Sequence, residues 1–149
     1  MPSEPQKVLL VDGHSMIFAW PDLGAIHQRK TETARLRLVE ILSRFADSAG
    51  YHVVIVFDGR GPKTNIDPLE TRVQVFYSKS GQSADSVIER LVARYADAYR
   101  ITVATDDYLE RTTVSTFGAE WMSSQELQLE IKRADADLTA RIEQLKKRK

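Results

Sequence analysis

The sequence contains no cysteine, which excludes disulfides, zinc-thiolate sites and cysteine nucleophiles. It has no apolar run near the roughly 18 residues that a membrane-spanning helix needs, and residues 1–7 lack the apolar segment of a signal peptide. Its 21 acidic and 21 basic residues give a formal net charge of zero, which argues against nucleic-acid binding by bulk charge alone. We therefore expect a cytoplasmic protein that does not associate with membranes.

Several motifs that mark common enzyme classes are also absent. The sequence has neither a Gly-x-x-x-x-Gly-Lys-Ser/Thr stretch nor a Gly-x-Gly-x-x-Gly stretch, which makes a nucleotide-binding loop an unfavoured interpretation. The three histidines show no metal-ligand spacing, and none is placed to act as a base for Ser15. A hydrolase triad is therefore unsupported.

The hydrophobic pattern predicts alternating strands and helices within one domain, residues 1–149. Short apolar segments predict strands at residues 8–11, 53–57, 73–77, 101–104 and 119–122. Helical spacing predicts helices at residues 31–49, 84–98, 108–116 and 124–147, the last ending in a basic tail. Residues 12–13 and 58–59 are expected to form turns. Strands separated by helices imply an α/β fold with a central, mostly parallel sheet of four or five strands.

Carboxylates directly follow three of these strands. Asp12 follows the first, Asp58 the second, and the pair Asp106 and Asp107 the fourth. Ligands of open parallel sheets bind beyond the carboxyl ends of the strands, so the acids converge if the strands are neighbours. Asp85 adds a carboxylate in the first turn of a helix.

Glu89 lies four residues after Asp85 and shares its helix face. Clustered carboxylates repel one another, and a divalent cation such as Mg²⁺ removes that conflict while orienting a phosphodiester and activating water. Each acid alone also fits a turn or a helix cap, so the metal-site interpretation depends on all of them together.

Basic residues concentrate in one central region, and they are candidates for RNA binding: Arg60, Lys63, Arg72 and Lys79. Scattered solvated charges explain them equally well. Both interpretations stay open at this point.

Several segments together resemble the YacP-like NYN domain family. The resemblance runs from about residue 8 to residue 131, with the motifs in the family's order. The segments that carry it are LLVDGHSMI with AWP (residues 9–17 and 19–21), VFD (56–58), VFYSK (75–79), QSAD with IERL (82–85 and 88–91), ATDDY (104–108), and GA with SSQEL (118–119 and 123–127).

The resemblance implies a PIN-like three-layer fold and an endoribonuclease that depends on Mg²⁺ or Mn²⁺. Its implied catalytic residues are Asp12, Asp58, Asp85 and Asp107, with metal ligands among them at Asp12, Asp85 and Asp107. Supporting roles fall to Ser15, Thr105, Asp106 and Glu89. RNA is the implied substrate, and some relatives act on ribosome-bound messages, which leaves the ribosome open as a partner.

The chain departs from the family at two adjacent positions of its opening motif. The family has Tyr-Asn where this sequence has His14 and Ser15, and a serine hydroxyl replaces an asparagine side chain only in part. This departure favours an alternative function, a catalytically weak or silent RNA- or ribosome-binding module of the same fold. The four aspartates favour an active enzyme. A phosphatase of another α/β type lacks support because no second aspartate lies two residues after Asp12.

Overall fold

The computed structural model describes residues 5–59, 72–78 and 81–148. These residues form five strands and six helices. In chain order they are β1 (Lys7–Asp12), α1 (Gly13–Ala19), α2 (Pro21–Arg29), α3 (Thr31–Ala49), β2 (His52–Phe57), β3 (Val73–Tyr77), α4 (Ala84–Tyr95), β4 (Arg100–Ala104), α5 (Tyr108–Thr116), β5 (Glu120–Met122) and α6 (Ser124–Lys147). All five strands predicted from the sequence are confirmed.

The strands form one sheet in the order β3-β2-β1-β4-β5, and every neighbouring pair is parallel. Strand β1 is central, with β2 on one side and β4 on the other. The three strands that precede the aspartates are therefore neighbours, as convergence of the acids requires. Their carboxyl ends lie together at one edge of the sheet, which we call the carboxyl edge.

Helices cover both faces of the sheet, which confirms the predicted three-layer α/β fold. Leu9 and Val11 of β1 pack with Ile55 and Phe57 of β2 and with α1, α2, α3 and the first half of α6. Leu10 packs on the opposite face with residues of α4 and α5. Because the central strands are buried on both faces, their sequences are unbroken apolar runs rather than alternating ones.

The turn predicted at residues 12–13 is instead the junction of β1 and α1. Helix α1 begins at Gly13 because Asp12 is its N-cap and accepts a hydrogen bond from the Ser15 N–H. A Cβ atom at Gly13 would overlap the Phe57 ring, so the close approach of the helix to β2 requires glycine. Helix α4 ends at Tyr95, three residues before the predicted end.

The apolar residues that α6 carries at helical spacing pack on the rest of the protein only over the first half of the helix. Leu127 and Ile131 are buried, whereas Leu138 and Ile142 are almost half exposed. Among the described helices, none combines the length and the apolar composition that crossing a membrane requires.

Candidate functional site

Three carboxylates meet at the carboxyl edge. Asp12 ends β1, Asp85 is the second residue of α4, and Glu110 is the third residue of α5. One oxygen from each of the three lies within 4.8 Å of the others. We call these residues the acidic cluster. Asp12 and Glu110 are buried and Asp85 is half-buried, so water screens the mutual repulsion of these groups only weakly.

Two hydroxyl groups hold the carboxylate of Asp12. Ser15 Oγ donates to Asp12 Oδ2 at 2.9 Å. Thr105 Oγ1 lies 3.2 Å from the same oxygen and 2.9 Å from Glu110 Oε2. Because a threonine hydroxyl has a single hydrogen, Thr105 donates to only one of these two acids at a time. The side chains of β1, α1 and the end of β4 thus fix one wall of the acidic cluster.

Burial and mutual repulsion raise the pKa of two members of the acidic cluster. Burial raises the pKa of Glu110 to about 9, assisted by its hydrogen bond with Asp85 and by the charges of Asp85 and Asp12; the Thr105 hydroxyl opposes the shift. Burial also raises the pKa of Asp85, and the charges of Asp12 and Asp107 add to that effect, while the hydrogen bond from Glu110 opposes it. Without a cation, the acidic cluster therefore keeps a proton at neutral pH.

The donor set of the acidic cluster fits a divalent cation. All three groups offer carboxylate oxygen, which Mg²⁺ and Mn²⁺ prefer over nitrogen or sulfur. Glu110 Oε1 is buried and receives no hydrogen bond from an N–H or hydroxyl group of the described residues, an arrangement that is costly for an ionised oxygen unless a cation compensates it. The three residues can therefore hold a metal ion.

Asp107 and Asp58, both predicted as catalytic, each accept hydrogen bonds from the N-terminus of a helix. Asp107 is the N-cap of α5, and its Oδ1 accepts from the Leu109 N–H at 2.9 Å. Asp58 Oδ1 accepts from the N–H of Ala84, the first residue of α4, at 2.6 Å. These bonds hold the first turns of α4 and α5 at the carboxyl edge, where those turns contribute Asp85 and Glu110 to the acidic cluster.

Of the predicted supporting residues, two contact the acidic cluster and two do not. Asp106 accepts from the N–H and the hydroxyl of Ser124, at 2.8 and 2.6 Å, and so anchors the start of α6. Glu89 lies one turn beyond Asp85 on α4 and is outside the group of acids that converge. Ser15 and Thr105 are the two predicted supporting residues that contact the acidic cluster directly.

The sequence analysis did not identify Glu110 as a site residue, although the spacing between Asp107 and Glu110 is that of a known motif. Asp107 and Glu110 have the spacing of a capping box, in which the glutamate reaches back to the backbone N–H of the cap residue. Here the Asp107 N–H donates to Thr105 Oγ1 at 3.1 Å instead. The Glu110 carboxylate is thereby left to face Asp12 and Asp85.

Of the basic residues predicted to bind RNA, only Arg72 lies within the described residues; Arg60, Lys63 and Lys79 lie outside them. Arg72 is exposed and directly precedes β3. At about 3.3 Å per strand residue, it is roughly 17 Å from the carboxyl edge. Sequence reasoning did not identify Arg35 of α3, whose guanidinium donates to the Asp58 carbonyl at 3.0 Å and brings positive charge to that edge.

Comparisons with known proteins agree with this fold. The sequence matches the family described as YacP-like NYN domain over residues 9–149. It is 33% identical over 141 residues to the YacP protein of Bacillus subtilis (strain 168), covering 93% of this chain and 82% of that protein. The crystal structure of Rae1 (YacP) from Bacillus subtilis is similar with a TM-score of 0.80 and 32% identity, covering 95% of this chain and 82% of that chain. A single-residue mutant of that protein gives a TM-score of 0.81 and 30% identity, with coverage of 95% and 85%.

Proposed function

The chain belongs to the YacP-like NYN domain family, which is of nuclease type, and we propose that it is a metal-dependent endoribonuclease that hydrolyses RNA phosphodiester bonds. The observation that supports this most directly is the convergence of Asp12, Asp85 and Glu110 within 4.8 Å. Three acids in one buried place repel a phosphate unless a cation stands between them and the substrate. The proposal therefore includes Mg²⁺ or Mn²⁺ as cofactor.

The acidic cluster would hold this cation, which when bound would neutralise phosphate charge and lower the pKa of a water molecule. Asp12 presents one carboxylate in a fixed orientation because Ser15 and Thr105 contact its Oδ2. Glu110 must lose its proton before it can act as a ligand, since its pKa is about 9 in the metal-free protein. Its proton can leave through Asp85, with which it shares a hydrogen bond.

Asp58 and Asp107 act mainly as positioning residues in this proposal. Each holds the first turn of a helix, and each adds negative charge near the carboxyl edge. The charge of Asp107 reaches Asp85, so Asp107 also strengthens attraction for a cation. Its role as a metal ligand stays a prediction. The alternative function, a catalytically silent binding module, depends on Ser15 standing in place of the family's asparagine. The Ser15 hydroxyl nevertheless donates to Asp12 and so supports the acidic cluster.

RNA is the proposed substrate, and the ribosome stays a predicted further partner. Because the proposed protein acts on cellular RNA, we expect a cytoplasmic location. Arg72 lies too far from the acidic cluster to contact a phosphate held there. We therefore propose that Arg72 contacts a part of the RNA chain that is distant from the cleaved bond. Arg60, Lys63 and Lys79 remain predicted RNA contacts.

Cleavage of a labelled single-stranded RNA in Mg²⁺ or Mn²⁺, compared with EDTA, tests the proposal. Asp12→Asn, Asp85→Asn and Glu110→Gln should each abolish cleavage without unfolding the protein. Asp97→Asn, at an exposed aspartate beyond the end of α4, is the matched control and should cleave normally. Cleavage that persists in EDTA or in Asp85→Asn would contradict the proposal. A folded, metal-bound protein that binds RNA without cutting it would favour the silent module.

A further inference from the structure

Strand β5 holds both backbone polar groups of Thr105. The Thr105 N–H donates to the Met122 carbonyl at 3.0 Å, and the indole N–H of Trp121 donates to the Thr105 carbonyl at 2.8 Å. Strand β4 ends at Ala104, which pairs with Met122, so Thr105 lies one residue beyond the paired part of the two strands. The Trp121 side chain therefore fixes a carbonyl group past the end of the sheet ladder.

The position of the Thr105 hydroxyl depends on this piece of backbone. Threonine is branched at Cβ, which restricts its χ1 angle, so a shift of the backbone carries the hydroxyl with it. Thr105 is fully buried, and its Oγ1 lies 3.2 Å from Asp12 Oδ2 and 2.9 Å from Glu110 Oε2. The same Oγ1 accepts from the Asp107 N–H at 3.1 Å. A displaced Thr105 would therefore lose its contacts with two of the proposed metal ligands.

The Trp121 ring also contacts helix α5. The guanidinium of Arg111 lies over the half-buried indole, 3.9 Å from the ring centroid, and a cation in this position is attracted by the face of the ring. Arg111 directly follows Glu110 in α5. One side chain of β5 thus connects the backbone of Thr105 with the turn of α5 that carries Glu110.

From these contacts we propose that Trp121 is a positioning residue of the metal site. Its indole keeps the Thr105 hydroxyl between the carboxylates of Asp12 and Glu110, so that both acids face one cation. Trp121 acts through Thr105 and supplies no ligand itself. The inference deepens the proposed function and rests on it, since it takes the acidic cluster as the place of the cation.

Amide hydrogen exchange in EDTA, followed by NMR, measures the hold on Thr105 without a cation. Trp121→Phe keeps an aromatic ring beneath Arg111 and removes the indole N–H. The Asp107 amide, which donates to Thr105 Oγ1, should then exchange roughly fivefold faster or more, because its acceptor is no longer held in place. The rate is compared with the rates of amides in the central strands, which report the overall stability.

Trp20→Phe is the matched control. Trp20 also donates its indole N–H to a backbone carbonyl, that of Ser124, at 3.2 Å. Its replacement removes the same kind of hydrogen bond and should leave the relative exchange rate of the Asp107 amide unchanged. An equal effect of the two variants on this amide, or no effect of Trp121→Phe, would overturn the inference.

A double-mutant cycle on Mn²⁺ affinity tests whether Trp121 acts through Thr105. Trp121→Phe should weaken Mn²⁺ binding by roughly tenfold, whereas Trp20→Phe should bind Mn²⁺ like the parent protein. In a Thr105→Ala background, which already lacks the hydroxyl, Trp121→Phe should cause no further loss. Equal losses in both backgrounds would show that Trp121 only stabilises the fold, and they would overturn the inference.

The two measurements separate this inference from the proposed function. A parent protein that binds Mn²⁺ and cleaves RNA, together with a Trp121→Phe variant of unchanged exchange and affinity, would refute the positioning role and leave the nuclease in place. A parent protein that binds no Mn²⁺, together with faster exchange of the Asp107 amide in Trp121→Phe alone, would support the hold of Trp121 on Thr105 while refuting the metal-dependent nuclease.

Discussion

Replacing Glu110 by glutamine should stabilise the metal-free protein and abolish metal binding. The metal-free protein keeps a proton on Glu110 at neutral pH, because its pKa is about 9. Glutamine has nearly the same shape as this protonated side chain and can still donate to Asp85 through its amide. The substitution removes the need to keep the proton, and it also removes a negatively charged ligand.

The size of the stabilisation follows from proton linkage. The ordinary pKa of glutamate is 4.5, against about 9 in the folded protein. Between these two values the folded state binds one more proton than the unfolded state, so stability falls as pH rises, by about 1.36 kcal/mol per pH unit. At pH 7 the difference from 4.5 is 2.5 units, which corresponds to about 3 kcal/mol. The penalty is absent below about pH 4.5 and complete above about pH 9.

Urea denaturation in EDTA, repeated at several pH values from about 5 to 8.5, measures this effect. The stability difference between Glu110→Gln and the parent protein should grow steadily with pH in favour of the variant. Glu143→Gln, at an exposed glutamate of α6, should show no such growth. A constant difference across the pH range, or a variant that is less stable at every pH, would refute the reasoning.

Three further predictions concern neighbouring features. The affinity for Mg²⁺ should rise by nearly tenfold per pH unit up to about pH 9, because binding displaces the Glu110 proton. Calorimetry in buffers of different ionisation enthalpy should show about one proton released for each cation bound. A binding reaction that releases no proton would contradict this prediction. Gly13→Ala should lower the free energy of unfolding by about 2 kcal/mol or more, since the added methyl meets Phe57; Gly24→Ala in α2, where the added methyl makes only an ordinary contact with the Ile17 carbonyl, is the comparison. Asp106→Ala should lower the free energy of unfolding by about 1 to 2 kcal/mol, because its hydrogen bonds to the start of α6 are lost. The affinity for Mg²⁺ should be retained, and a loss of that affinity would place Asp106 in the metal site.

The alternation of strands and helices could be predicted because parallel strands buried on both faces leave unbroken apolar runs. Residues 8–11 and 53–57 show this directly, and both lie in central strands. Helix α1 was not predicted because its start depends on a tertiary contact. The pair Asp12-Gly13 has the composition of a turn, and only the nearby Phe57 ring shows why glycine also suits the first residue of this helix.

The carboxyl edge could be predicted more reliably than the ligands within it. An aspartate directly after a strand is bound to lie at that edge, but its hydrogen bonds depend on which helix N-terminus is near. Asp58 and Asp107 each meet one and cap it. Glu110 lies in a helix and looks like an ordinary first-turn acid in the sequence. Its importance depends on burial and on the Thr105 hydroxyl, neither of which periodicity reveals.

The capping bonds and the acidic cluster work as one arrangement. A carboxylate at a helix N-terminus is favoured by the helix dipole, and Asp85 and Glu110 both lie in such first turns. Burial and mutual repulsion nevertheless outweigh the dipole, because the pKa values of both acids are raised. Asp58 and Asp107 thus hold Asp85 and Glu110 at a place where water alone does not keep both of these acids ionised. A cation bound at the acidic cluster would relieve this conflict. Replacing Asp58 or Asp107 should accordingly weaken metal binding, because each holds the first turn of the helix that carries Asp85 or Glu110.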